Sequence, residues 1–562
     1  MKHYNIIIKS SILLLLLLLP NLCTIFFSID LNYSFVKQVG YLLMVLTILV
    51  MPALFLKTRA YFVLLGIANF VFYPIELASL YLNRQSATPL FLHTILNTNQ
   101  QEANELMQSF WWILIIVVCT WGIYIYISVT IPNVPIFNRQ WKIRIGSMCM
   151  LVVGAIYASI FVLVYHTYSE GSSMSLIELT NDRFNQKFRK IFPCNIYIGG
   201  YEWYQSQKEW KISQDALNAF NFGINQRDSL PSELYILYIG ESARYDHFSI
   251  NGYSRTTSPY LDTCSNLISF KQIYSRANLT ALSVPYILTR ATPDNPSILH
   301  KEKSLVEAFH EAGFYTGYIN KNASSSFVIR IMQTCAYQHL YASGIDGQIY
   351  DTEMLTDLKK NMSEHAWMFV LHGLGSHFKY SLRYPEEEVY FLPAMTAEDG
   401  YNTSKENKER MVNAYDNSIL FTAKALGELI EWVKTLNRPA IVLYLSDHGE
   451  SLWDDERNLA LHGSYELSEA EYHIPFFIWY SDEYAQRYPG KITMLKQNQY
   501  KAQTSSITFS TMLDLADIHE IIDSSLSACS PHMESIDTFS VKNGRNETVP
   551  FIISQQYQQY HK

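Results

Sequence analysis

The long apolar runs are gathered at one end of the chain, and this asymmetry decides most of what the polypeptide can fold into. Crossing a hydrocarbon layer takes about 20 residues of helix. Five stretches meet or approach that length: Ser10 to Ile29, Val39 to Leu56, Ala60 to Leu82, Phe110 to Ile131 and Ile145 to Tyr165. Lys2 and Lys9 before the first leucine run resemble a signal peptide, but the run is long and four more follow, which predicts a retained helix. At 562 residues the chain also exceeds a single small domain. The division expected is 1–167 as a five-helix transmembrane domain, 168–230 as a linker with bridging helices, and 231–562 as a separate α/β domain.

Charge fixes the orientation, because Lys and Arg stay on the cytoplasmic side. Lys2 and Lys9, then Lys57 and Arg59, then Arg139, Lys142 and Arg144 fall between alternate spans, so those segments lie inside. An odd number of spans carries everything after about His166 outward, into the periplasm of a Gram-negative cell. The formal charge of −8 excludes the basic excess that a nucleic-acid partner requires. Glu76 lies within the third span, where an ionised carboxylate is costly. It either contacts a lipid headgroup or sits close enough to the outer interface to be hydrated, since Leu82 ends the span soon after. Cys194, Cys264, Cys335 and Cys529 fall in the exported part and permit up to two disulfides; no CxxC pair marks a thiolate zinc site.

The exported part alternates strand and helix. Leu234 to Ile239, Tyr315 to Ile319, Trp367 to Leu371, Ile441 to Leu445 and Phe476 to Tyr480 are short apolar runs rich in β-branched and aromatic residues, as in strands buried on both faces. Between them lie helical patterns. Ser304 with Glu307 three residues on opens one that Gly313 ends, and Lys408 to Leu436 is a longer one. This order predicts an α/β/α sandwich on a mostly parallel sheet, with chemistry beyond the carboxyl ends of the strands.

Those ends carry the candidate site. Glu241 follows the first strand, His372 and His377 follow WMFVL, and Asp447-His448 follows IVLYL, with His462 fourteen residues further on. Glu, Asp and His are the ligand types of hard or borderline divalent metals. A lone His or Asp at a strand end is more often a turn residue. Three successive strand ends bearing such residues point to a metal. A hydroxyl nucleophile would complete the site, because a metal makes a threonine or serine oxygen attack phosphorus at neutral pH. Thr280, Ser283, Thr289 and Thr292 are all near enough in sequence to supply it.

The motifs GESAR at 240–244, HFSINGYSRTTSP at 247–259, NLTALSVP at 278–285, HGLGSH at 372–377, YDNSI at 415–419, SDHGES at 446–451 and LHG at 461–463 resemble the alkaline-phosphatase superfamily. Within it they resemble the membrane-anchored phosphoethanolamine transferases of the bacterial envelope. The resemblance implies an alkaline-phosphatase-like fold behind five spans and a zinc ion held by Glu241, Thr280, Asp447 and His448, with Thr280 as nucleophile. A second zinc is the alternative count, and Mn2+ or Mg2+ rank behind Zn2+. It makes His377, His462 and His372 substrate-binding or second-metal residues. The chain departs from the better-known lipid A members in two places. Ser275-Arg276-Ala277 and Tyr286 stand where their disulfide near the nucleophile would be, and their substrate-side lysine is not evident in residues 320–326.

The implied reaction takes phosphoethanolamine from phosphatidylethanolamine onto Thr280, then passes it to lipid A or the lipopolysaccharide core. The implied partners are that donor, a lipid-linked glycan acceptor and the bilayer, for a monomer in the bacterial inner membrane with its catalytic domain in the periplasm. Periplasmic glucans are an alternative acceptor, and a glycerol-phosphate transferase of the lipoteichoic-acid-synthase type is an alternative enzyme. A sulfatase reaction needs Cys or Ser followed by x-Pro-x-Arg. Ser283-Val284-Pro285 is followed by Tyr286-Ile287, which lacks the arginine.

Overall fold

The structure is a computed structural model that describes residues 2–28, 35–83, 85–88, 91–92, 95, 100–167, 175–226, 232–322, 325–341, 350–399 and 403–553. Ile29, Asp30 and Arg84 of the predicted spans and their flanks, and the predicted linker's residues 168–174 and 227–230, lie outside these. The chain divides into two compact units: Met1–Leu96 with Phe110–Lys208, and Asn97–Ser109 with Glu209–Lys562.

Up to Ala219 the described elements are helices: α1 (Lys2–Phe27), α2 (Phe35–Ala53), α3 (Thr58–Phe70), α4 (Tyr73–Asn83), α5 (Gln100–Thr130), α6 (Arg139–Thr167), α7 (Leu176–Phe188) and α8 (Cys194–Ala219). By length and composition α1, α2 and α6 can each cross a membrane. The predicted third span is not one straight helix. It breaks between α3 and α4 with a 48° bend, and the pair counts as a fourth crossing if taken as one span. The fourth predicted span lies in α5, whose apolar part is the shorter Leu114–Thr130. Leu13, Leu17, Tyr61, Phe62, Tyr73 and Tyr124 pack inside, while Leu15, Val118, Leu151 and Leu163 are exposed, as lipid-facing side chains are.

Glu76 near the bend is fully buried. Its Oε2 accepts hydrogen bonds from Ala87 N (3.1 Å) and Asn195 Nδ2 (2.8 Å), and its Oε1 accepts one from Thr24 Oγ1 (3.4 Å). It is thus neither hydrated nor turned to a headgroup. It ties α1, α4, the 85–88 segment and α8 together, the arrangement a buried carboxylate requires.

The second unit is built on an eight-stranded sheet. Its strands are β1 (Leu234–Gly240), β2 (Leu267–Tyr274), β3 (Tyr315–Asn320), β4 (Tyr337–Leu340), β5 (Trp367–His372), β6 (Ala440–Ser446), β7 (His473–Tyr480) and β8 (Gln503–Thr504), in the order β8-β2-β7-β6-β1-β5-β3-β4. All pairings are parallel except the two made by β7, which runs against β2 and β6. Every residue of β1, β5, β6 and β7 is buried, because helices and loops cover both faces and leave no alternation to show. On one face, α9 (Thr280–Leu288) and α10 (Leu305–Glu311) place Val284, Ile287, Val306 and Phe309 in one core; on the other, α11 (Lys408–Lys434) places Met411, Ile419, Leu426 and Ile430 in a second. Ser304 and Glu307 form the capping box read from the sequence, and Arg330 adds a bidentate pair to Glu307. All seven cysteines are free thiols.

Candidate active site

The register of the central strands brings the site together. Gly240 at the end of β1 pairs with Ser446 at the end of β6, so Glu241 and Asp447-His448 leave the sheet side by side. Ser242 turns at once into the left-handed region (φ 55°), a costly conformation for a residue other than glycine. Its backbone N donates to Asp447 Oδ1 (3.1 Å) and its hydroxyl to Glu241 Oε1 (2.8 Å). Tyr415 on α11 fastens the same turn, donating to Ser242 O (2.7 Å) and accepting from Arg244 N (3.0 Å). Asp416 beside it takes His247, Tyr253 and Arg255. The YDNSI and GYSR motifs therefore act as scaffold for the loop after Glu241. Gly375, with φ 41°, packs so close that a Cβ there would lie 2.8 Å from Glu241 N and O, which explains the glycine in HGLGSH.

Thr280 begins α9 and is half-buried, whereas Glu241, Asp447 and His448 are wholly enclosed. Thr280 Oγ1 donates to Glu241 Oε2 at 3.0 Å and lies 3.3 Å from His448 Nε2. His448 Nδ1 is 2.8 Å from Gly449 O, so this nitrogen carries the hydrogen and Nε2 turns a lone pair toward Glu241 Oε1 (3.4 Å) and Asp447 Oδ2 (3.3 Å). The other hydroxyls are taken up elsewhere. Ser283 Oγ donates to Asp447 O (2.6 Å), Thr289 Oγ1 to Pro285 O (2.7 Å), and Thr292 Oγ1 accepts from Asn295 N (3.2 Å).

His462 joins the cluster, with its ring 4.1 Å from that of His448 and its Nδ1 2.7 Å from Glu450 Oε2. Tyr380 holds the other Glu450 oxygen at 2.6 Å. His377 is tied by Nδ1 to Phe378 O (2.6 Å) and feels the charges of His462 and His448. His372 stands apart. It is buried at the end of β5, 3.3 Å from the Tyr318 hydroxyl, and among the described residues no hydrogen bond or ion pair joins it to Glu241, Thr280, Asp447 or His448. Two participants went unread in the sequence. Asn322 Nδ2 donates to Glu241 Oε2 (2.6 Å), and Lys321 turns away to pair with buried Asp351 (3.2 Å). Asn322 sits just beyond β3, and the strand-end rule that singled out Glu241 and Asp447 applies to it equally.

The electrostatics follow from burial. Glu241 is pushed up to about 7 by loss of water and by the Asp447 charge, and burial raises Asp447 too. Burial and the neighbouring His462 drive His448 down to about 4; burial and Arg383 drive His377 to about 3. Burial also acts to lower His462, but Glu450 outweighs it and holds the imidazole at about 9, protonated at neutral pH. Asp447 Oδ2 is buried and, among the described residues, accepts no hydrogen bond. An enclosed carboxylate oxygen without a donor, beside a second carboxylate and an imidazole lone pair, is a donor set that a divalent cation would satisfy. Glu241, His448 and His462 each offer a ligand atom within 4.8 Å of one another.

Comparison with known proteins agrees with this geometry. Lipooligosaccharide phosphoethanolamine transferase A from Neisseria meningitidis shares the fold over 83% of this chain and 86% of its own, with a TM-score of 0.65 at 22% identity. The zinc-complexed periplasmic domain of EptC from Escherichia coli covers 59% of this chain and 95% of its own, with a TM-score of 0.52 at 23% identity. In sequence, phosphoethanolamine transferase EptA of Salmonella typhimurium is 29% identical over 366 residues, 61% of this chain and 65% of that protein. The chain spans about half to two thirds of the length of the curated relatives it matches. Residues 233–518, just over half of the chain and the whole of the sheet, match the sulfatase family. The strand-end cluster and this match converge: the chain belongs to the sulfatase family and is related to its phosphoethanolamine transferases.

Proposed function

We propose that this chain transfers phosphoethanolamine from phosphatidylethanolamine to a lipid-linked glycan of the bacterial envelope, lipid A or the lipopolysaccharide core, through a phosphoethanolamine-threonine intermediate on Thr280. The observation that carries this reading is Thr280 Oγ1, on a half-buried residue and hydrogen-bonded 3.0 Å from Glu241 Oε2, beside an enclosed acidic cluster. Glu241, Asp447, His448 and Thr280 would hold a zinc ion, while His462 stays protonated beside them. Bound there, zinc supplies Lewis acidity to a hydroxyl and a phosphoryl oxygen.

The chain's own groups account for the proton movements. Thr280 attacks phosphorus as its hydrogen passes along the existing bond to Glu241 Oε2. The bond from phosphorus to the diacylglycerol oxygen breaks, and the departing oxygen takes a proton from the His462 imidazolium, held in place by Glu450. An acceptor hydroxyl then gives its proton to the now neutral His462 as its oxygen attacks the phosphothreonine; the bond from phosphorus to Thr280 Oγ1 breaks, and Thr280 takes its hydrogen back from Glu241. Asn322 orients Glu241 throughout.

The apolar helices support a site at the bilayer surface, with residues 1–167 as anchor, 168–230 as bridge and 231–562 as the periplasmic catalytic part. Donor and acceptor are then confined to the same layer as the enzyme, which raises their effective concentration. The test is mass spectrometry of envelope lipids and glycans from cells with and without the protein. A phosphoethanolamine increment that depends on Thr280 is expected, and its absence from every lipid and glycan would reject the activity.

A further inference from the structure

The membrane unit contains a cavity of about 760 Å3 between α2, α6 and α7. Ile48, Met51, Met150, Val153, Phe184 and Phe188 form much of its wall. The two hydroxyl side chains on its lining are engaged elsewhere: Thr47 donates to Leu43 O (2.8 Å) and Tyr157 to Asn181 Oδ1 (2.7 Å). Water needs two to four polar partners to settle in such a space, and these walls are overwhelmingly apolar. The space is a groove open to the surface, since Met51, Met150 and Val153 on its wall are themselves exposed, and its volume lies within the about 300–1,000 Å3 typical of ligand pockets. Gly154 on α6 opens into it, and a Cβ added there meets no atom within 4 Å.

Two of its three walls, α2 and α6, are long and apolar enough to cross a membrane, so the medium beside them is acyl chain. The third wall supplies charge. On α7, Arg183 and Lys187 are exposed four residues apart, and each immediately precedes a phenylalanine of the lining, Phe184 or Phe188. A cationic pair at the margin of a dry apolar space matches a molecule with a phosphate at one end and hydrocarbon at the other. We propose that the cavity holds one acyl chain of a bilayer glycerophospholipid, with the lipid phosphate met by Arg183 and Lys187. The site is independent of Thr280 and its reaction.

The experiment uses the full chain reconstituted in vesicles of phosphatidylcholine, a fraction of which carries a photoactivatable diazirine at the end of one acyl chain. The choline headgroup keeps the readout separate from ethanolamine selection at Thr280. After irradiation, mass spectrometry is expected to find the label concentrated on residues 147–157 and 184–188. Gly154→Phe should reduce that label at least tenfold, Gly154→Ala by a smaller factor, and Arg183→Gln with Lys187→Gln several-fold. Label spread evenly over the exposed faces of α1, α2 and α6 in the unaltered protein would overturn the proposal. So would a cavity peptide crosslinked to a second copy of the chain in place of lipid.

Discussion

Two carboxylate clusters, one in each unit, are equally buried and built for opposite ends. Glu76 is enclosed near the bend between α3 and α4, and both its oxygens are occupied by donors from other segments. Glu241 and Asp447 are enclosed at the sheet's carboxyl edge, where burial strengthens the hold of both on a proton, the Asp447 charge adds to that of Glu241, and among the described residues Asp447 Oδ2 receives no donor. A satisfied buried carboxylate holds helices together. One left partly unsatisfied at a strand end stores a binding capacity, with its cost borne by the surrounding scaffold of Tyr415, Ser242 and Gly375.

The sharpest way to break this contrast is at Thr280. Thr280→Ala should lower phosphoethanolamine transfer by roughly a thousandfold or more, read by mass spectrometry of the acceptor, with thermal unfolding nearly unchanged. Substantial remaining transfer would move the nucleophile to another hydroxyl. Next comes the metal. Chelation should abolish transfer, zinc should restore it, and unfolding should shift by about 3–4 kcal/mol if free zinc stands at 100 to 1,000 times its dissociation constant. Glu241→Gln should lose zinc stoichiometry while unfolding no more easily than the chelated protein, because it removes one of two repelling charges.

The membrane cluster predicts the reverse pattern. Glu76→Ala should destabilise the detergent-solubilised protein by about 2–4 kcal/mol, since Ala87 N is left without its acceptor and Asn195 Nδ2 keeps only Ala87 O, and zinc content should not change. Glu76→Gln should cost less, because the amide oxygen still accepts. Equal costs for Glu76→Ala and Glu241→Gln would erase the distinction drawn between the two clusters. The smallest effect concerns Glu307. Burial pushes its carboxyl up, but Arg330 and the Ser304 cap more than offset this and hold it below its ordinary value of 4.5. Its contribution, about 1 kcal/mol from the cap, is therefore complete above pH 4.5 and drains away as the pH falls through the lower folded value. The stability gap between the protein and Glu307→Gln should close over that acidic range.

Much of this architecture was legible because it rests on local pattern. Ser304 and Glu307 three residues apart gave a capping box, and the continuous apolar runs gave β1, β3, β5, β6 and β7 to within a few residues. Glu241, Asp447 and His448 were legible because they directly follow such runs. What the sequence hid was set by tertiary packing. The third span looks continuous because residues 60–82 are mostly apolar; Pro74, directly after the break between Phe70 and Tyr73, is the one local mark of it. β2 escaped notice because Ser269, Lys271 and Gln272 interrupt its apolar pattern. The antiparallel course of β7 leaves no trace in composition. Glu450 acts only through partners distant in the chain, Tyr380 in particular, and His372 has the look of a ligand while its place is in the sheet interior.

Asp447 is fastened from both its ends. Its carbonyl receives the hydroxyl of Ser283, one turn along from Thr280, while its carboxylate receives the backbone of Ser242 and its own successor His448. Attacking oxygen and ligand loop are thereby mounted on a single bracket without any covalent crosslink. A thermal excursion of the short helix must drag the acidic loop along with it, so the separation between nucleophile and cluster stays constant even as the pair shifts within the protein.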